Sequence, residues 1–359
     1  MKTIFPAILL SIVTALAPCP QPGVSDGELL QLIGEHLKDF PDQTELAIAM
    51  VDVGQTRFQG VVKENGTLKS TDNEEMVFEI GSITKLFTSV ILASLVNEGK
   101  VRLEEPVHRY LPMPPREGSK ITLLSLANHT SGLPRMPDNM SPVDPDNPYK
   151  NYRPENLEAF LKGYGIERDS MMGRYLYSNL GTGLLGYVLG LSQGVSYEDL
   201  LRERVFDRYG MKQSYTRASD AGNRLVRGLN ARGEVTSNWD FDVLMGAGGV
   251  LSTARDLAAF ARAQFNEKDS DLMLTQIPTH KVNERLKLGL GWHIVQGESG
   301  KEYHCHNGGT GGYSSSLTVN MTDKVAVIIL SNISAFHPAA SQVERLCFRL
   351  IGRMEQNRN

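Results

Sequence analysis

Residues 81–100 read GSITKLFTSVILASLVNEGK, and the organisation of the whole chain follows from how this segment folds. Leu86, Phe87, Val90, Ile91, Leu95 and Val96 recur at helical spacing over Ile83 to Glu98, so a helix rather than a strand is predicted. Gly99 offers the left-handed turn that ends such a helix. Ser82 and Lys85 stand three residues apart at its start, which sets a hydroxyl and an amine on one face, one turn from each other.

Working outward, Gly27 to Lys38 has helical spacing at Leu29, Leu30, Leu32, Ile33 and Leu37, and Leu46 to Val53 and Arg57 to Val62 read as paired strands. From about 100 to 265 the pattern is helices separated by Pro and Gly loops. These include a long proline-punctuated stretch, Pro134 to Pro154, that carries Tyr149 and Tyr152; loops of this length are usually functional or mobile. Strands return at Leu290 to Val295, Lys301 to His306, Ser314 to Asn320 and Lys324 to Ser331, before a closing helix over Ala340 to Ile351. Strands at both ends with helices between imply one sheet interrupted by a helical insertion.

The chain has 359 residues, which as a prior means two domains or one large domain with an insertion. With 37 Lys+Arg against 41 Asp+Glu, a net charge of −4 and no basic tract, there is no electrostatic footprint for nucleic acid or anionic lipid. A small molecule or a peptide is the expected partner, and no feature fixes an oligomeric state. Met1 and Lys2 lead into the apolar run Ile4 to Ala17, so residues 1–19 read as a signal peptide and the protein as exported, periplasmic or secreted. The mature chain then begins near Pro18 to Val24, with lipidation of Cys19 an alternative. No later stretch is long and apolar enough to span a bilayer. Cys305 and Cys347 are too few for a disulfide framework and read as two buried thiols, a bridge between them being the alternative.

Three short segments carry chemistry. A serine hydroxyl is a poor nucleophile until a neighbour takes its proton, and a lysine of lowered pKa can do so, which gives Ser82 and Lys85 a joint meaning. Tyr177-Ser178-Asn179 precedes an apolar helix, Leu180 to Leu189, whose glycines at 181, 183 and 186 permit close packing of another backbone. Tyr177 can hold or relay a proton and Asn179 can bind a substrate amide. His306-Asn307-Gly308-Gly309 ends a strand and runs into Thr310-Gly311-Gly312, giving a polar side chain followed by backbone that an extended peptide can approach. Singly, each has an ordinary explanation: a helix cap, a core tyrosine, a glycine-rich turn.

Together, in the order S-x-x-K, Y-x-N, H-x-G, they resemble the penicillin-recognising serine hydrolases, the superfamily of class C β-lactamases and D-Ala-D-Ala peptidases. His129-Thr130-Ser131-Gly132-Leu133-Pro134, Gly246-Ala247-Gly248-Gly249 leading to Ser252-Thr253-Ala254-Arg255-Asp256-Leu257, and Gly289-Leu290-Gly291-Trp292 look like the same family, so the resemblance spans roughly residues 30 to 350. It implies an α/β (α+β) fold: an antiparallel sheet flanked by helices with an inserted mainly helical lobe. Residues 25–95 plus 266–359 would form the α/β lobe and 96–265 the helical one, with the site between them. It further implies Ser82 as acylated nucleophile, Lys85 and Tyr177 as its proton-handling partners, Asn179 on the substrate amide, and an oxyanion hole from the N–H groups of Ser82 and Gly309. His306 and Asn307 stand where class C β-lactamases carry the lysine and threonine of K-T-G; some D,D-peptidases and esterases of the superfamily have histidine there. A histidine at this place would be a weaker, pH-dependent source of positive charge beside Lys85.

The implied activity is hydrolysis of a β-lactam or related amide; a D-Ala-D-Ala carboxypeptidase/endopeptidase and an esterase are alternatives, and a penicillin-binding sensor that acylates without turnover is the non-enzymatic one. No metal or organic cofactor is called for. Gly190-Leu191-Ser192-Gln193-Gly194 fits a nucleophile-elbow pattern but ends a helix-like segment instead of following a strand. His304 and His306 share a strand face, yet a zinc site needs a third ligand at recognisable spacing, and His304 reads as a half-exposed strand residue.

Overall fold

The structure, a computed structural model, describes residues 25–112, 121–163 and 171–356. The leader reading for residues 1–19, Cys19 included, lies outside the described residues. Along the chain run α1 (Asp26–Leu37), β1 (Glu45–Val51), β2 (Thr56–Glu64), β3 (Thr67–Thr71), β4 (Phe78–Glu79), α2 (Thr84–Asn97), α3 (Leu123–Ala127), α4 (Pro154–Gly163) and α5 (Asn179–Gln193). After β5 (Leu251–Ser252) come helices Ala254–Ala263 and Ser270–Gln276, then β6 (His280–Asn283), β7 (Leu286–Leu288), β8 (His293–Gln296), β9 (Glu302–Gly309), β10 (Ser314–Asn320), β11 (Val325–Ser331) and helix Ser341–Gln356. Nine strands form one sheet in the order β3-β2-β1-β11-β10-β9-β8-β7-β6, and all its pairings are antiparallel. The expected mixed α/β architecture, a large antiparallel sheet with helices, is what the chain adopts.

The central strands are covered on both faces, which is why they read as unbroken apolar runs. In β1, Leu46, Ile48 and Met50 pack with Leu29 and Ile33 of α1 and Leu346 and Leu350 of the last helix. The alternate residues Ala47, Ala49 and Val51 join Phe87, Val90 and Ile91 of α2 and Leu257 and Phe260 of helix Ala254–Ala263. A capping box of Ser25 and Glu28 starts α1.

Helix α2 is enclosed on every side: each residue from Thr84 to Leu95 is buried. Its polar residues are therefore tied internally, Thr88 for example donating to the Gly246 carbonyl at 2.8 Å. The glycines of α5 allow the anticipated close approach. A Cβ on Gly183 would lie 3.0 Å from Leu244 Cα and one on Gly186 3.1 Å from Gly246 Cα. Ser178 caps α5 by accepting from Gly181 N–H at 2.8 Å, and Gly194 ends it with φ of +68°. The G-x-S-x-G segment is thus a helix end, where the Ser192 hydroxyl donates to the Leu189 carbonyl.

Five strands were not legible in the sequence. β3 and β6 are short and polar and form the sheet's two edges, while β4, β5 and β7 are only two or three residues long, too short for an alternating pattern to register. The strand expected from Leu290 begins instead at His293. Gly289–Trp292 is a turn in which Gly291, at φ of +74°, packs so tightly on Lys85 that a Cβ would sit 3.0 Å from the Lys85 carbonyl oxygen. Cys305 and Cys347 are both buried and free.

Candidate active site

Ser82 lies in a single 3-10 turn, Gly81–Ile83, immediately before α2. The end of β9 is pressed against this turn: a Cβ on Gly308 would lie 2.0 Å from the Ile80 carbonyl oxygen, and one on Gly81, at φ of +50°, 2.5 Å from Gly309 N. Only glycine meets both demands, for close approach and for left-handed backbone. The Ser315 hydroxyl, from β10, donates to the same Ile80 carbonyl at 2.8 Å. Pairing of β8 with β9 reaches only His293 and Cys305, so the last residues of β9 present one main-chain edge to the cleft.

Lys85 is fully buried, one turn below Ser82. Its Nζ lies 3.0 Å from Ser82 Oγ, 2.9 Å from Asn179 Oδ1 and 2.6 Å from the Ala247 carbonyl oxygen. Burial, and then the positive charge of Arg135, hold its pKa well below the usual lysine range. An uncharged amine has two N–H bonds and a lone pair. In that uncharged form Asn179 and Ala247 can take the N–H bonds, which leaves the lone pair free to accept the Ser82 O–H.

The Tyr177 hydroxyl hydrogen-bonds Ser82, and burial pushes its pKa up, so it stays protonated. Imidazoles surround its ring: His129 at 4.4 Å between centroids, and His293 and His306 each at 6.1 Å. Burial takes His293 down to about 4 and holds His129 and His306 well below the ordinary value, with Lys85 and neighbouring imidazoles adding to it. The expected positive charge at His306 is therefore absent near neutral pH. It is a neutral imidazole whose Nδ1–H donates to the Asn307 carbonyl at 2.6 Å, leaving Nε2 a buried acceptor without a partner. His304 is buried rather than half-exposed, with Nε2 3.1 Å from the Gln276 carbonyl oxygen. Among the described residues no group of three or more His, Cys, Asp or Glu is placed to hold a metal ion.

Several contributors were not singled out by sequence reasoning. The 129–135 segment is a rail along which Tyr177 and Asn179 are laid: Ser178 N–H donates to His129 Nδ1 at 3.2 Å, the Ser178 hydroxyl to the Pro134 carbonyl at 2.7 Å, and Asn179 N–H to the Arg135 carbonyl at 3.0 Å. His129 has a positive φ, rare outside glycine, which no local residue pattern announces. Tyr149, from the long proline-punctuated loop, is buried, stacks on Phe241 at 4.2 Å and accepts from Asn179 Nδ2 at 3.3 Å. Glu79 is buried too. Its Oε1 accepts from Asn238 Nδ2 and Trp239 N–H, both at 2.8 Å, and burial raises its pKa to about 7.

Ser82, Tyr177, Asn179, His306, Asn307, Gly308 and Gly309 all line one cleft of about 930 Å³, with Lys85 beneath its floor. The eight residues singled out from the sequence thus converge from α2, the start of α5 and β9. Such an arrangement can deprotonate an alcohol at the floor of the cleft and offer backbone N–H groups to an oxyanion beside it.

The sequence model of the Beta-lactamase family matches residues 35–346. The D-alanyl-D-alanine-carboxypeptidase/endopeptidase AmpH of Escherichia coli (strain K12) is 27% identical over 93% of this chain and 89% of its own length. A β-lactamase of Pseudomonas fluorescens is 24% identical over 90% of this chain and 97% of its own. Among solved structures, the class C β-lactamase from Rhodobacter sphaeroides superposes with a TM-score of 0.75 at 20% identity, covering 91% of this chain and 99% of that one, a likeness of fold.

Proposed function

The chain belongs to the Beta-lactamase family and is a serine hydrolase of the β-lactamase/D,D-peptidase type, and from that premise we propose that it acts through an acyl-enzyme on Ser82. The supporting observation is the Lys85 amine, 3.0 Å from the Ser82 oxygen with its other two contacts both acceptors. Lys85 takes the serine proton as Ser82 attacks the carbonyl carbon. The oxyanion is met by the N–H groups of Ser82 and Gly309. Tyr177, held protonated, passes its proton to the leaving nitrogen and recovers one from Lys85, which thereby gives up the proton it took from Ser82 and returns to its starting state. Water afterwards cleaves the ester. Asn179 fixes Lys85 and binds the substrate amide, while Asn307 and Gly308 offer the edge of β9 to an extended substrate.

The substrate is a β-lactam or a related amide such as a D-alanyl peptide of the cell wall, and an ester of similar shape would enter the same cycle. The relatives named above include both a D,D-peptidase and a β-lactamase, which supports the shared chemistry rather than one of its ends. The apolar leader at residues 4–17 supports export to the compartment where such peptides occur. A panel of nitrocefin, D-Ala-D-Ala peptides and p-nitrophenyl esters, run on wild type and Ser82→Ala, tests the reading. Turnover that Ser82→Ala abolishes, with a transient adduct on Ser82 by intact-protein mass spectrometry, is the expected result; turnover that survives Ser82→Ala refutes it. An adduct that never clears would mark a sensor instead of a hydrolase.

A further inference from the structure

We propose that Arg135 is the residue that recognises an anionic group on the substrate, so that the preferred substrates of the Ser82 site carry a free carboxylate. The proposal rests on the acyl-enzyme reading and deepens it. Arg135 lies outside the S-x-x-K, Y-x-N and H-x-G positions. Among the described residues lining the cleft, the only other one of formal charge is Glu344, and Arg135 alone is a permanent cation. The imidazoles of His293 and His306 also line the cleft but are neutral, and Lys85 is buried with its nitrogen engaged.

The side chain is placed for such a task. Its guanidinium carbon stands 5.2 Å from the centre of the Tyr177 ring, the ring that Lys85 Nζ approaches at 4.9 Å. Its backbone is fixed, because the Arg135 carbonyl accepts from both Asn179 N–H and Leu180 N–H, at 3.0 and 3.2 Å. The side chain itself is exposed and makes no ion pair with a carboxylate among the described residues. A guanidinium anchored at its base, stacked on the tyrosine beside the nucleophile and with its planar fork unpaired, suits a bidentate carboxylate. Met136, Tyr149 and Trp239 line the same cleft and offer apolar surface to the rest of such a substrate.

The test compares matched substrates with Arg135→Gln and Arg135→Lys. One pair is p-nitrophenyl acetate and p-nitrophenyl hydrogen succinate, with the charge on the acyl side; the other is a peptide ending in D-Ala-D-Ala and its C-terminal amide, with the charge on the leaving side. In Arg135→Gln the ratio of kcat/KM for the anionic over the neutral member should fall about ten- to a hundred-fold in one of the pairs, chiefly through KM. Arg135→Lys should restore part of it, and the pair that responds tells on which side the carboxylate sits. A ratio equal to wild type in both pairs overturns the role of Arg135 while the neutral ester still reports an intact Ser82 cycle. Loss of neutral-ester turnover already in wild type would overturn the acyl-enzyme reading itself.

Discussion

At the Lys85 nitrogen, hydrogen-bond valence and electrostatics agree. Two acceptors and one hydroxyl surround it, full burial disfavours the ammonium, and Arg135 adds like-charge repulsion. Lys85→Met, which keeps the volume and removes the base, should slow acylation by about 10²- to 10⁴-fold with little loss of stability, as read by stopped-flow kinetics and thermal melts. The depressed pKa also fixes the sign of the pH dependence. The rate rises with pH as Lys85 loses its proton, and Arg135→Gln, which removes a neighbouring positive charge, should move that rising limb to higher pH for a neutral ester. A limb that stays in place would detach Arg135 from Lys85. His306 should contribute no limb near neutral pH, because desolvation holds its imidazole well below the ordinary histidine value.

At the level of elements, the decisive joint is that between β9 and the turn bearing Ser82. Gly308→Ala would put a methyl 2.0 Å from a main-chain carbonyl that cannot swing aside. The expected result is a loss of about 1–3 kcal/mol in denaturant unfolding together with a collapse of acylation, since the Gly309 N–H moves with the strand. The Ser178 cap predicts a smaller effect: Ser178→Ala should cost about 1 kcal/mol and loosen Asn179, weakening substrate binding more than it lowers Tm. The reach of sequence reasoning can be judged at these same joints. The apolar periods of α2 and α5, the glycines of α5 and the long buried strands were legible because each is a local pattern. β3 and β6 were not, since edge strands avoid the apolar alternation by which strands are recognised, and β4, β5 and β7 are too short to display it. Of the site, the eight motif residues could be named, whereas the neutrality of His306 and the placement of Arg135, Tyr149 and Glu79 around it arise from burial and from neighbours distant in the chain.

For the molecule as a whole, Glu79 links stability to pH. It ties β4 to the Asn238 side chain and to the backbone of Trp239, which borders the cleft, and its folded pKa of about 7 lies above the ordinary carboxyl value of 4.5. The native state therefore binds more protons than the unfolded state between those values, so this residue's contribution to stability falls as pH rises through the window, by roughly 3 kcal/mol in all. Glu79→Gln should flatten that part of the stability curve in denaturant titrations from pH 4.5 to 8; an unaltered slope would show that the carboxyl is ionised at no cost. Neither this nor the preceding variants should alter the topology, which rests on the apolar layers either side of the sheet.

That sheet has a consequence for how the polypeptide is made. Its first strand is interior, with Ala49 opposite Ile328 across a separation of nearly 280 residues. During synthesis β1 to β3 emerge with only α1 to lie on one apolar face, no cover for the other and no neighbour for one side of β1. A polypeptide delivered from its amino end must wait, held open or chaperoned, until β11 and the final helix have arrived to close it.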